Sequence, residues 1–158
     1  LRATPAVFLS SMVASGQSDG TLALYDLLTG QELWKPWYKA PNPIQSPPVS
    51  FISQIYLLPF TQLIVLDANA KFWNRASLEM MGIGAPALSS DRIMVNGGDG
   101  YYTFSLDFKD MAKNGDFHGG VSSPAIGDDG TVYVMDRQQN LWAFGKESRN
   151  KPPRYTLS

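Results

Sequence analysis

Apolar residues in this chain come in short alternating bursts, and four of the bursts open on a proline: Pro5, Pro48, Pro86 and Pro124. The separations are 43, 38 and 38 residues. A recurrence near 40 residues marks a repeat architecture, in which one supersecondary unit buries its apolar face against the next. In each unit the pattern predicts a strand just after the proline, over Ala6–Leu9, Val49–Ile52, Ala87–Leu88 and Ala125–Ile126. After a polar turn a second strand begins at Met12, Ile55, Ile93 and Val132, built from the β-branched, aromatic and bulky residues that suit a pleated surface.

A second turn follows at Ser18-Asp19-Gly20, Phe60-Thr61-Gln62, Gly98-Asp99-Gly100 and Gln138-Gln139-Asn140. Its Asp-Gly pairs offer the positive φ angles that tight hairpins use. A third strand covers Leu22–Tyr25, Leu63–Leu66, Tyr102–Leu106 and Leu141–Phe144. In three units it ends on an aspartate (Asp26, Asp67, Asp107), expected to form a turn by accepting backbone N–H bonds; in the fourth it ends on Gly145. After Asp26, Thr29-Gly30 reads as a turn and Gln31–Trp34 as a short outer strand, with a contracted version at Ala68–Trp73. The third and fourth units lose this ending, and Asp107–Met111 reads as one helical turn at most.

Four short antiparallel strands at a period near 40 describe a propeller blade. The expected fold is therefore all-β, a β-propeller of about four blades near residues 5–37, 48–75, 86–110 and 124–145. The blades fill a domain over 1–145, and a polar tail follows over 146–158. A sandwich of short strands would leave the period and the matching aspartates as coincidence.

The run Leu24-Tyr25-Asp26-Leu27-Leu28-Thr29-Gly30-Gln31-Glu32-Leu33-Trp34 resembles the blade ending of the PQQ-like (quinoprotein-type) β-propeller repeats. Ser122-Ser123-Pro124-Ala125-Ile126, with Asp129-Gly130-Thr131-Val132-Tyr133-Val134, is similar to that family's blade opening. The resemblance implies a ring of seven or eight blades, of which four would be a part. It also implies that the blade-closing tryptophans, at positions Trp34 and Trp73, pack between neighbouring blades. Enzymes of this resemblance class oxidise alcohols or sugars with pyrroloquinoline quinone and a calcium ion on the propeller axis. That chemistry asks for an aspartate base and oxygen ligands on a hard cation. No Glu, Asn and Asp set stands at repeat-equivalent positions here, so no cofactor-binding residue carries over.

Composition narrows the function classes. With 44% apolar residues, 17% charged and a formal net charge of −1, the chain has no basic footprint for nucleic acid. No apolar run approaches the roughly 20 residues that span a bilayer. Leu1 stands where a start methionine would, so a processed or truncated N-terminus is expected. The absence of cysteine excludes disulfides, thiolate metal sites and a cysteine nucleophile. Asp128-Asp129-Gly130 lacks the alternating ligands of a calcium loop and reads as a hairpin turn. Asn96-Gly97-Gly98-Asp99-Gly100 leads into a strand, not into the helix that a phosphate cradle uses. The lone His118 reads as a loop residue.

No catalytic, cofactor-binding or metal-ligating residue is assigned. The candidate contact surface is the loop Lys35–Pro43, where flanking prolines lower the entropy lost on ordering Trp37 and Tyr38 against a protein partner. Packing over the propeller face is the competing role for these rings. The expected function is a non-catalytic scaffold or protein-interaction module within a larger, membrane-associated assembly, in the periplasm or an organelle lumen. The alternatives are a fragment of a dehydrogenase using PQQ and calcium, and a lumenal or periplasmic sensor domain.

Overall fold

The computed structural model describes residues 4–33, 38–67, 69, 71–145 and 154–156, and every regular element in them is a strand. The first sheet holds β1 (Ala6–Phe8), β2 (Met12–Gly16), β3 (Thr21–Asp26) and β4 (Tyr38–Lys39). The second holds β5 (Val49–Phe51), β6 (Gln54–Leu57), β7 (Gln62–Leu66) and β8 (Phe72–Ser77). The third holds β9 (Gly82–Leu88), β10 (Arg92–Gly97), β11 (Tyr101–Ser105) and β12 (Met111–Asn114). The fourth holds β13 (Ala125–Ile126), β14 (Val132–Met135), β15 (Asn140–Phe144) and β16 (Arg154–Thr156). Each is an antiparallel meander in chain order, so the fold is all-β with four four-stranded propeller blades.

The alternation of side chains gives every sheet two faces, and the three apolar clusters sit between consecutive sheets. Phe8, Ala14, Leu22 and Leu24 meet Ile55, Leu57, Ile64 and Leu66. The opposite face of the second sheet, with Tyr56, Leu63 and Val65, meets Ile93, Val95, Tyr102 and Phe104. Met94 and Tyr101 then meet Val132, Val134 and Trp142. Each interface is also filled by a large buried apolar residue from a loop that follows an outer strand: Ile44, Leu78 and Phe117. The first two are held there by backbone bonds, from Ile44 N to the Gln17 carbonyl (3.1 Å) and from Leu78 N to the Thr61 carbonyl (2.8 Å).

The inner strands are stitched at the spacing of the repeat. Ser50 Oγ donates to the Val7 carbonyl at 2.7 Å, 43 residues away, and Ala85 N donates to Ser123 Oγ at 2.8 Å, 38 residues away. Pro5, Pro48 and Pro124 directly precede inner strands, where a missing N–H costs no ladder bond. Pro86 departs from this: it lies inside β9, which begins four residues earlier, at Gly82. The β9–β10 register slips between Met94 and Asn96, so Gly84, Ala85 and Pro86 bulge opposite Val95 and the proline needs no partner.

Gly84 makes the bulge with φ +72°, and a Cβ there would lie 2.5 Å from the Ser123 backbone nitrogen. Gly84→Ala combines left-handed strain with a backbone clash against the next blade. It is expected to cost about 2–3 kcal/mol, measured by urea denaturation.

Several expectations are corrected. The third unit has no helical turn: Phe108, at φ +61°, closes a turn from Ser105 to Asp110, and β12 follows as a true outer strand. The first unit's outer strand is Tyr38–Lys39, and Glu32 makes only an isolated bridge with Tyr25. Trp73 is 47% exposed on outer strand β8 and does not pack between blades, while Trp34 lies outside the described residues. In the polar stretch over 146–158, where Tyr155-Thr156-Leu157 could add a strand, Arg154–Thr156 forms β16 and pairs with β15. Of the Asp-Gly pairs, Gly20 takes φ +89° but Gly100 stays out of the left-handed region. The aspartate turns form as read: Asp26 Oδ1 accepts from Leu28 N and Thr29 N, and Asp67 Oδ1 from Asn69 N and Lys71 N. Asp107 Oδ1 accepts from Lys109 N and Ser105 Oγ.

Candidate functional site

An up-and-down sheet places the turn between its first and second strands on the same side as the turn between its third and fourth. Because the four sheets repeat one order with equivalent strands innermost, these turns share one face of the molecule. That face carries Leu9, Leu27, Leu28, Ile52, Phe72, Trp73 and Met111, all exposed. Leu28 is 92% and Ile52 77% accessible, so neither serves the core. Ile52 also sits at φ +55° in the two-residue loop joining Phe51 to Gln54, a conformation a β-branched residue adopts only with strain. Asp26, anchoring the next turn, is held below the usual carboxylate range by bonds from the Thr29 N–H and hydroxyl and from the Leu28 N–H.

The opposite face is fastened by carboxylates on the turn between second and third strands. In the first sheet Asp19 bonds Lys39 of the outer strand at 2.9 Å and caps Thr21 N; these bonds lower its pKa to about 2. At the equivalent place in the third sheet, Asp99 meets Lys113 at 2.6 Å and the Tyr102 hydroxyl at 2.9 Å. Lys113 also reaches Glu79 at 2.5 Å and stands 5.5 Å from the Tyr102 ring centre. Burial opposes ionisation of Asp99, but the bonds from Lys113 and Tyr102 outweigh it and its pKa is lowered.

In the fourth sheet the device turns inward. Asp136 is buried and accepts from Gln138 N (2.9 Å), Asn140 N (2.8 Å), Asn140 Nδ2 (3.0 Å) and Trp142 Nε1 (2.7 Å). These groups fasten strands.

Of the residues singled out from sequence, Trp37 lies outside the described residues, and Tyr38 is half-buried against the first apolar cluster. Burial raises the Tyr38 pKa. His118 is an exposed loop residue. Asp129 caps Thr131 N at 2.8 Å in the hairpin before β14, and Asn96–Gly100 turns from β10 into β11. The inner strands supply Ala6–Phe8, Val49–Phe51, Gly82–Leu88 and Ala125–Ile126. They contain no carboxylate or side-chain amide, so they do not fit the oxygen ligands a quinone-calcium centre takes at the axis. Among the described residues no cluster of three His, Cys, Asp or Glu is placed to hold a metal, and no helix is long and apolar enough to cross a membrane.

The exposed apolar turn face was not found from sequence. The signal was present in apolar residues at turn positions, such as Leu27-Leu28 beside Thr29-Gly30 and Ile52 beside Ser53. Their convergence on one face needed the topology.

No family model and no curated protein matches the sequence. Solved structures match the fold. The chain is similar to BamB from Moraxella catarrhalis at 16% identity and TM-score 0.80, over 99% of this chain and 50% of that one. It is also similar to the computationally designed Ika4 protein, at 18% identity and TM-score 0.75, over 92% of this chain and 91% of that one. The computationally designed Ika8 protein matches at 17% identity and TM-score 0.75, over 91% of this chain and 45% of that one. The chain thus spans about half the length of BamB and Ika8, and nearly all of Ika4.

Proposed function

We propose that this chain is a non-catalytic β-propeller scaffold of PQQ-like repeat type that binds a protein partner through its apolar turn face. The observation that carries this reading is the set of exposed apolar residues gathered there, Leu28 and Ile52 foremost. The opposite face also exposes Phe60, Met80, Met81 and Val121, but the turn face carries the most accessible pair, Leu28 and Ile52, and this supports a contact role there. Tyr38, in β4, pairs with Leu22 near the opposite face and packs against the first apolar cluster, so it is not part of the proposed surface. The larger assembly is membrane-associated and extracytoplasmic in this reading, as the sequence resemblance suggests.

The strain at Ile52 supplies the test. Ile52→Gly relieves the left-handed β-branched residue and is expected to stabilise the fold by about 1 kcal/mol. The same change removes an exposed contact side chain. Paired with Leu28→Ser, it should abolish crosslinking to partners captured by the wild type from source-cell envelope extracts. Capture that survives both substitutions would count against the turn face. Dye-linked alcohol or sugar oxidation on adding quinone and calcium would instead favour a dehydrogenase fragment.

A further inference from the structure

The loops that cross from one sheet to the next run over the face opposite the apolar turns, and backbone bonds lace them into one band. The Phe60 carbonyl accepts from Gly82 N at 2.7 Å and the Met81 carbonyl from Gly98 N at 2.8 Å. The Gly97 carbonyl accepts from Gly120 N at 2.9 Å and the Gly119 carbonyl from Arg137 N at 3.0 Å. The crossing from β8 to β9 is thus wedged between the turns of the second and third sheets. Leu78 is buried at its start and Glu79 is paired with Lys113. Met80 and Met81 follow, both exposed, on backbone that is already fixed and loses little freedom on binding.

Arg137, on the turn of the fourth sheet, reaches back along this band. A Cβ placed on Gly119 would lie 3.5 Å from Arg137 Nε. One placed on Gly98 would lie 3.6 Å from Arg137 Nη2 and 3.6 Å from Met80 Cβ. The guanidinium therefore lies along the two glycines and ends beside Met80. Gly119, at φ +77°, has no room for a side chain, because a Cβ would strike the Gly98 carbonyl. The carboxylates that fasten this face are engaged elsewhere: Asp99 and Glu79 bind Lys113, and Asp19 binds Lys39. Among the described residues the exposed Arg137 guanidinium has neither an ion pair nor a hydrogen bond. A planar fork of donors thus stands unspent beside two exposed thioethers.

We propose that this corner is a second contact site, taking a segment of a partner protein in which a carboxylate side chain stands beside an apolar one. Charge selects the occupant: the carboxylate accepts two parallel bonds from the Arg137 fork, the pairing that guanidinium geometry favours. The apolar neighbour covers Met80 and Met81, whose unbranched side chains adapt to the shape laid on them. The site lies over the junctions on either side of the third sheet, and it is independent of the turn-face reading.

Titration of the 158-residue chain with an acetylated and amidated Ser-Leu-Glu-Leu-Ser peptide tests this, read on methionine methyl NMR signals. The methyls of Met80 and Met81 should shift, while that of Met111, on the apolar turn face, should not. Changing the peptide's glutamate to glutamine, or Arg137→Gln in the protein, should each weaken binding about tenfold, and both together no more than either alone. Arg137→Lys keeps the charge without the fork and should recover only part of the loss. Met80→Ser combined with Met81→Ser should reduce the affinity to that for acetate. Arg137 is exposed and holds Gly119 through its backbone, so these variants keep the fold. Leu28→Ser with Ile52→Gly should leave the titration unchanged, which separates this site from the turn face. Still Met80 and Met81 signals with peptide on the order of 10 mM would overturn the proposal. So would additive losses in the double change, wild-type binding no tighter than that of acetate, or a shift of Met111 in their place.

Discussion

Phe117→Ala is expected to lower stability by about 4 kcal/mol, the largest effect of any single substitution argued for this protein. Phe117 is fully buried although it lies in a loop. Its ring stands edge-on to Tyr101 at 6.4 Å and to Trp142 at 6.0 Å, so it locks the third sheet to the fourth. Tyr101, Phe144 and Trp142 continue the stack, and burial raises the Tyr101 pKa well above its ordinary value. Truncation removes apolar area and leaves a hole among rigid rings that cannot collapse to fill it. In a repeat fold each unit depends on its neighbours, so the damage should concentrate at this junction. Amide exchange is expected to rise in β13–β15 well before β6 and β7. An even rise across all four sheets would show instead that the blades unfold as one cooperative unit.

Asp136→Ala is expected to cost about 3 kcal/mol, because one buried carboxylate satisfies four donors. Asp136→Asn keeps the shape but loses the charge, and should recover part of that stability. The pH dependence follows from the direction of the shift. Burial by itself would raise the Asp136 pKa; the bonds from Asn140, Trp142 and Gln138 more than offset it and leave the pKa lowered. A carboxylate with a lower pKa folded than unfolded stabilises the native state above the ordinary carboxylate pKa, near 3.9, and loses that contribution as pH falls through the folded value. The gap between wild type and Asp136→Asn, measured by urea denaturation, should therefore be full at pH 7 and shrink below about pH 4. A gap unchanged at pH 3 would show that the charge carries none of it. Phe117 and Asp136 both touch Trp142, so the double variant should fall short of additivity by about 1 kcal/mol.

Much of the fold was legible in the residues because its signals are local. A strand needs only alternation over a few positions, and Asp26, Asp67 and Asp107 cap turns with N–H groups two to four residues away. Features that depend on distant chain were hidden. Trp73 has the composition of a packing residue, yet β8 turns it to the outer rim. Phe117 and Ile44 sit in polar or proline-rich loops with no periodicity around them, and only the neighbouring sheet makes them core. Asp136 looks like any turn residue until Trp142, six positions on, delivers its indole N–H.

The repeat, with its period, strand order and turns, follows from short-range alternation and capping along the chain. The tertiary structure decided which face each strand buries, because an alternating strand specifies two faces but not which neighbour covers them. It likewise gathered Leu28, Ile52 and Trp73 on one side, since that convergence depends on how successive sheets are stacked.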